Sequence, residues 1–389
     1  MCKKIFLFHL LLLTLIIFNT SVLKGESKKT IPIFFGTETT WGNPPGEGVY
    51  MSTLDLGGKQ ISSPELKVKS SNPSYIILNN NILYAVNEID NFQGGNTGSV
   101  SAFKIEKDNT LTLIDQTSSG LASPVYLSIS RDSKYLFLAN YGNTQPDASG
   151  VSVVPLGEDG YLKTVSQVIP YSGHSIDPDR QNEPHTHTVN VLSLDDGREF
   201  VMSVDLGTDK LHTYKLDIDG KLTELSQTSV KPGSGPRHIA FSSNGKYVYL
   251  VDELVSYVNA FSFDPSNAKL TLIQSEKTYS GDLKADRNYP SEVLVYPNGK
   301  FLYVSNRGQD TIVQFSINSD DGKLKYVTET STEGNFPRDF AIDKTGSFMV
   351  VANQNSSNAV LFTINNNTGK LTKCNSIEVP TPVSVKFMD

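Results

Sequence analysis

The chain has 389 residues, 38% of them hydrophobic and 19% charged, which excludes a wholly disordered polypeptide. Its formal charge of −7 becomes −10 once residues 1–25, which hold Lys3, Lys4 and Lys24 and no acid, are set aside (31 basic against 41 acidic groups). An acidic chain without basic runs argues against nucleic acid as a partner.

Lys3-Lys4 followed by the apolar run Ile5–Phe18 has the pattern of an export leader ending near Gly25. The run is shorter than the ~20 residues that a membrane span needs. The expected mature protein, residues 26–389, is therefore exported to a periplasmic or extracellular space and keeps no membrane span. Cys2 precedes the apolar run, so it is not placed as a lipoprotein cysteine. Cys374 is then the one mature cysteine, and no intramolecular disulfide is possible.

After the leader the chain repeats itself. Asn72–Asn87, Ser123–Asn140, Glu183–Asp205, Gly235–Glu253, Tyr289–Arg307 and Phe336–Asn353 each read as a β-hairpin. Asn244-Gly245, Asn298-Gly299 and Thr345-Gly346 supply two-residue turn signals. Prolines 73, 124, 184, 236, 290, 337 and 382 open the units, at spacings from 45 (Pro337 to Pro382) to 60 (Pro124 to Pro184). A second strand pair follows each hairpin, giving four short strands per repeat. Such a unit cannot bury both of its faces alone, whereas radial stacking buries them and leaves only short edges. Six repeats are complete. A further one is split between the N-terminal segments 31–37 and 47–55 and the C-terminal segment 381–387. The expected fold is all-β: one seven-bladed β-propeller closed by strands from both ends of the chain.

Several loops invite a functional reading. Trp41 lies in the first loop, where packing on its own blade is the expected role. Gly95–Val100 is glycine-rich but lacks the lysine and helix of a phosphate loop, and reads as a hairpin loop. His174–His187 is the longest insertion. His185 and His187 are two apart on a strand, so both should face the same way. Such a pair can bind a metal, exchange protons, or hydrogen-bond neighbouring acids. No third ligand stands at a diagnostic spacing, so no metal or other cofactor is assigned. His212, in an alternating strand, is read as structural.

The hairpins bring charge to one mouth of the channel. Arg237 and His238 enter the fifth blade where Glu253 leaves it. Ser291-Glu292 should lie opposite Asn306-Arg307, and Arg338-Asp339 near Asn353. The bland account is a ring of structural ion pairs, Arg237 with Glu253 and Arg338 with Asp339. A pair of that kind at a surface adds only ~0–1 kcal/mol of stability.

Six motifs in register with the blades carry a resemblance: RQ-x-x-PH-x-H at Arg180–His187, DLG at Asp205–Gly207, GPRH at Gly235–His238, VDEL at Val251–Leu254, SNRG at Ser305–Gly308 and PRDF at Pro337–Phe340. From about Ile33 to Phe387 the chain resembles the lactonase family of seven-bladed propellers. That family includes propeller-type 6-phosphogluconolactonases and fungal carboxymuconate cyclases. The resemblance implies active groups at a histidine of the His185/His187 pair, at Arg237, at Glu253 and at Arg307. His238, Glu292, Arg338 and Asp339 are expected to bind substrate beside them. The implied activity is hydrolysis of a small sugar-acid or related lactone; the alternatives are a carboxymuconate-type cycloisomerase or a secreted propeller that binds without turnover. Glu253 or a histidine would serve as base if burial brought its pKa towards neutrality. Asp252-Glu253 departs from the Asn-Glu common in the family, and the export leader departs from the cytoplasmic role of the phosphogluconolactonases.

Overall fold

The computed structural model describes residues 29–142, 148–283 and 287–388, and the leader expected over residues 1–25 lies outside them. Seven antiparallel sheets stand in a ring. Blades 2 to 7 begin with innermost strands Tyr75–Asn79, Pro124–Ile129, Thr186–Ser193, Pro236–Phe241, Tyr289–Val295 and Pro337–Ile342, and each continues outward through three more strands. Blade 1 takes its innermost strand from the C-terminus. There Pro382–Phe387 pairs with Thr30–Thr37, Ile33 against Phe387 and Gly36 against Ser384. The ring is thus closed as the split repeat requires.

Burial explains the strand patterns. Second strands are flanked by sheet on both sides, and Ile82–Asn87 and Phe348–Asn353 are buried along their whole length. Outermost strands face solvent on one side, and in Leu371–Glu378 every residue after Leu371 is exposed or half-buried. Apolar side chains fill the space between blades: Phe200, Met202 and Val204 of blade 4 pack with Val248, Leu250 and Phe261 of blade 5.

The hairpins keep the expected register but use a different turn. Phe241 pairs with Val248, as a turn centred on Asn244-Gly245 requires. A two-residue type I′ turn needs positive φ at both central residues. Gly245 has φ 68° while Asn244 is not left-handed, and the Gly245 N–H bonds to the Ser242 carbonyl at 2.9 Å. Gly299 and Gly346 repeat this arrangement on Tyr296 and Asp343. The glycine therefore closes a type I turn rather than forming half of a type I′ turn.

Trp41 is 48% exposed, so it is not buried against its blade as expected. Among the described residues, no helix is long and apolar enough to cross a membrane.

Candidate functional site

Two backbone devices that recur at the start of the innermost strands build the channel mouth. The first is a β-bulge. Thr186 pairs with Asp205 and Thr188 with Val204, which leaves His187 unpaired. Arg237 is skipped in the same way between Pro236 and His238, and Arg338 between Pro337 and Asp339. A bulge re-aims the extra side chain. His187, Arg237 and Arg338 are thus equivalent residues of blades 4, 5 and 7.

The second device is a hydrogen bond that folds the end of the next strand over the first. The N–H groups of Glu38, Glu88, Tyr141, Leu206, Glu253 and Gln354 reach the carbonyls of Thr381, Asn72, Ser123, His185, Gly235 and Phe336 at 2.7–3.1 Å. Five of these acceptors, Asn72, Ser123, Gly235, Phe336 and Thr381, hold the left-handed conformation that turns the chain into the strand. Arg307 ends the second strand of blade 6, paired with Tyr289. An upper ring of Glu38, Glu88, Tyr141, Leu206, Glu253, Arg307 and Gln354 therefore stands above the bulge ring.

Glu253 is the hub of the mouth. Its Oε2 accepts from Arg307 Nη2 at 2.7 Å and lies 3.0 Å from Arg237 Nε, an ion pair out of line for a hydrogen bond. Its Oε1 accepts from Arg180 Nη2 at 2.8 Å. Arg237, Glu253 and Arg307 are 2%, 4% and 5% exposed, so this is a buried cluster and not the surface pair that the hairpin alone suggests. Backbone carbonyls take two of the other donors. Arg237 Nη1 donates to Ser291 O at 2.8 Å, and Arg307 Nε to Tyr289 O at 3.0 Å.

The charges settle the protonation states. Burial alone would raise the Glu253 carboxyl, but Arg307, Arg237 and Arg180 outweigh it and hold the group well below the usual carboxylate range. The condition on which Glu253 would serve as a base, a carboxyl raised towards neutrality by burial, is not met, because three guanidiniums favour the anion. Burial and the nearby Arg307 push Arg237 down to about 9 despite Glu253, which leaves it cationic at neutral pH. Burial, Arg237 and His238 push His187 well below its ordinary value, so it is neutral. Its Nδ1 is buried without a hydrogen-bond partner.

The bulge at His187 breaks the alternation that would put His185 and His187 on one face of a regular strand. They converge through Tyr141 instead. His185 stacks on that ring at 4.3 Å and His187 meets it edge-on at 5.7 Å. His185 Nδ1 lies 3.1 Å from the Tyr141 carbonyl, and its backbone N–H bonds to Asp205.

The four residues expected to bind substrate separate. Arg338 stays at the mouth, with Nη1 3.3 Å from Gln354 Oε1. Its expected partner, Asp339, instead accepts from Lys386 Nζ at 2.9 Å. Arg307 lies opposite Tyr289 and not Glu292, because Ser291 and Glu292 are both skipped in the pairing. His238, Glu292 and Asp339 lie one residue deeper in the channel, in a lower ring with Tyr75 and Tyr126. There His238 Nδ1 lies 3.1 Å from Glu292 Oε2, and the two tyrosines stack at 4.0 Å. Beyond this plug the far end of the channel opens into a cavity of about 460 Å³, lined by Tyr126, Asn190, Glu292, Lys386 and an apolar collar that includes Ile77 and Leu294. His212 pairs with Glu224 at 2.7 Å and stacks on Tyr171, as a structural residue should.

Sequence reasoning overlooked Arg180, Tyr141 and Glu88. Arg180 was inside a motif, but only the folded loop, tied by the Ser175–Gln181 and Gln181–Asp177 backbone bonds, shows that it reaches Glu253. Glu88 had a legible signal, since Val86-Asn87-Glu88 repeats Val251-Asp252-Glu253. Among the described residues, no group of three or more His, Cys, Asp or Glu side chains is arranged to hold a metal ion.

A seven-bladed ring closed by its own termini, with a histidine and an arginine-clamped glutamate at the channel mouth, defines the class. The chain belongs to the lactonase family: the family model described as "Lactonase, 7-bladed beta-propeller" matches residues 32–387. It is 38% identical over 303 residues to a 6-phosphogluconolactonase of Bacillus subtilis (strain 168), covering 77% of this chain and 81% of that one. A 6-phosphogluconolactonase of Formosa agariphila is 36% identical over 297 residues, covering 74% and 80%. The solved structure of a Pseudomonas aeruginosa periplasmic gluconolactonase superimposes with a TM-score of 0.82 at 30% identity, covering 93% of this chain and 99% of that one.

Proposed function

We propose that this protein is a lactone hydrolase that opens a sugar-acid lactone at the arginine-lined mouth of its channel. The observation that carries the reading is the Glu253 cluster: one buried carboxylate holds Arg180, Arg237 and Arg307 around a single point beside the neutral His187. The names of the Bacillus and Formosa relatives support the substrate class.

Lactone hydrolysis adds water to the carbonyl carbon, passes through an oxyanion and breaks the acyl C–O bond, so that the ring oxygen leaves as a hydroxyl. Arg237 and Arg307 are cations fixed in advance by Glu253 and by backbone carbonyls. They would stabilise the oxyanion or grip an acidic substituent of the substrate through paired N–H groups. Glu253 orients the guanidiniums and does not exchange protons. Neutral His187, with Nδ1 unpartnered, would hydrogen-bond the reacting oxygen atoms. Burial and the neighbouring cations make His187 a weak proton acceptor, so a stronger base beside it would serve the attack of water better.

Purified protein assayed against 6-phosphoglucono-δ-lactone, glucono-δ-lactone and muconolactones tests the reading. Acceleration of the sugar lactones over their spontaneous hydrolysis is expected. Turnover of muconolactones alone would favour the cycloisomerase, and no turnover of any would leave a binding propeller. Export is part of the same proposal, since a related gluconolactonase is named as periplasmic. A mature N-terminus near residue 26 in an exported fraction is the expected result.

A further inference from the structure

We infer that Glu88 is the general base of this site, taking the proton from the attacking water across the mouth from the arginine-locked Glu253. The inference rests on the lactonase reading and adds the proton acceptor that reading lacks. Glu88 and Glu253 are equivalent residues of blades 2 and 5. Each follows the last residue of a second strand, and each N–H returns to a left-handed residue, Asn72 at 3.0 Å and Gly235 at 2.7 Å. The two carboxylates therefore rim the same mouth, three blades apart in the ring.

Their surroundings differ in the way that two chemical roles require. Glu253 spends both oxygens on guanidiniums. Glu88 Oε2 is buried at the mouth without a hydrogen-bond partner. The hydroxyl of Ser74 lies close enough to the carboxylate to draw it down, but out of line for a well-formed hydrogen bond. Ionisable groups from four other blades act on Glu88 or feel its charge. Glu38 comes from blade 1, Tyr141 from blade 3, Arg237 from blade 5 and Arg338 from blade 7. Burial raises the Glu88 carboxyl, Arg338 and Arg237 draw it back, and Glu38 reinforces the rise. A carboxylate tuned upwards and left with a free oxygen suits proton transfer. Two carboxylates pushed apart by their environments divide the work, one as a permanent anion and one as the titrating group.

The step balances. Water donates a proton to Glu88 as its oxygen bonds to the lactone carbonyl carbon. The acyl C–O bond then breaks, and the departing alkoxide takes the proton back from Glu88. The product is the hydroxy acid, and Glu88 returns to its carboxylate form.

The test compares wild type, Glu88→Gln and Glu88→Asp on glucono-δ-lactone and 6-phosphoglucono-δ-lactone, with kcat and KM followed from pH 4 to 9. Glu88→Gln should lose on the order of 10² or more in kcat with little change in KM, and its profile should lose the acidic limb of the wild type. Glu88→Asp should keep that limb at a reduced rate, which maintains the test if the glutamine variant folds poorly. A Glu88→Gln enzyme with the wild-type kcat overturns the inference. So does one that is slower but keeps the wild-type acidic limb, since Glu88 then supports the fold and another group titrates. If wild type turns over neither lactone, the lactonase reading itself fails and takes this inference with it.

Discussion

Glu253 of blade 5 and Arg307 of blade 6 meet at 2.7 Å across the boundary between two blades, and both are almost wholly buried. The bond joins neighbouring blades at the one place where Arg180 and Arg237 reach the same carboxylate. Glu253→Gln would leave three guanidiniums facing one another without their anion. Removing one partner of a buried ion pair typically costs about 3–5 kcal/mol, against ~0–1 kcal/mol for an exposed pair. Urea unfolding of the variant should show a loss in the larger range. A midpoint equal to that of wild type would mean that the cluster contributes no more than a surface pair.

Arg237→Lys keeps the charge and removes the planar fork. Lysine cannot both face Glu253 and make the 2.8 Å bond to the Ser291 carbonyl in the same geometry. Turnover of a sugar lactone should fall on the order of 10²–10³ if Arg237 stabilises the oxyanion. A variant that keeps the wild-type rate would move that role to Arg307 or Arg338.

Asp252 gives a prediction for pH. Burial pushes its carboxyl up to about 7, against the 2.6 Å hydrogen bond from Asn259 Nδ2 and with help from Asp209. The folded value lies above the unfolded value of about 4. The unfolded chain therefore ionises first, and wild type loses stability as pH rises from about 4 to about 7, with no further loss above. Blades 2, 3, 6 and 7 have Asn87, Asn140, Asn306 and Asn353 at this position, each donating from Nδ2 to a backbone carbonyl. Asp252→Asn should therefore gain on wild type by about 1.4 kcal/mol for each pH unit crossed in that window. Denaturant unfolding at pH 4, 5.5 and 7.5 checks it. A stability difference that stays flat with pH would place the Asp252 carboxyl at an ordinary value.

Chelation should leave lactone turnover intact. The mouth concentrates four arginines, Arg180, Arg237, Arg307 and Arg338, where a metal site needs carboxylates or imidazoles in convergence. Loss of activity in EDTA, restored by a divalent ion, would instead favour His185 and His187 as ligands.

Much of the fold was legible because it is repeated. The spacing of Pro236, Pro290 and Pro337, and the apolar strands between turn glycines, mark a unit that must stack to bury its faces. The split repeat required Pro382–Phe387 to pair with Thr30–Thr37, as it does. Residue types also placed Arg237, Glu253 and Arg307 at one end of their blades, because hairpin register follows from the turn.

What the sequence by itself determined is therefore the ring, its closure and the mouth on which the charged residues gather. Only the tertiary structure decided what those residues are to one another. One bulge per strand sent His187, Arg237 and Arg338 to the mouth and left His238 and Asp339 in the plug below, a shift of one position that alternation cannot foresee. The ionisation of Glu253 was equally beyond local pattern. Its arginines come from a loop before blade 4, from blade 5 and from blade 6, and a carboxyl group's pKa is set by the charges that folding brings within a few ångströms and by the water that folding removes.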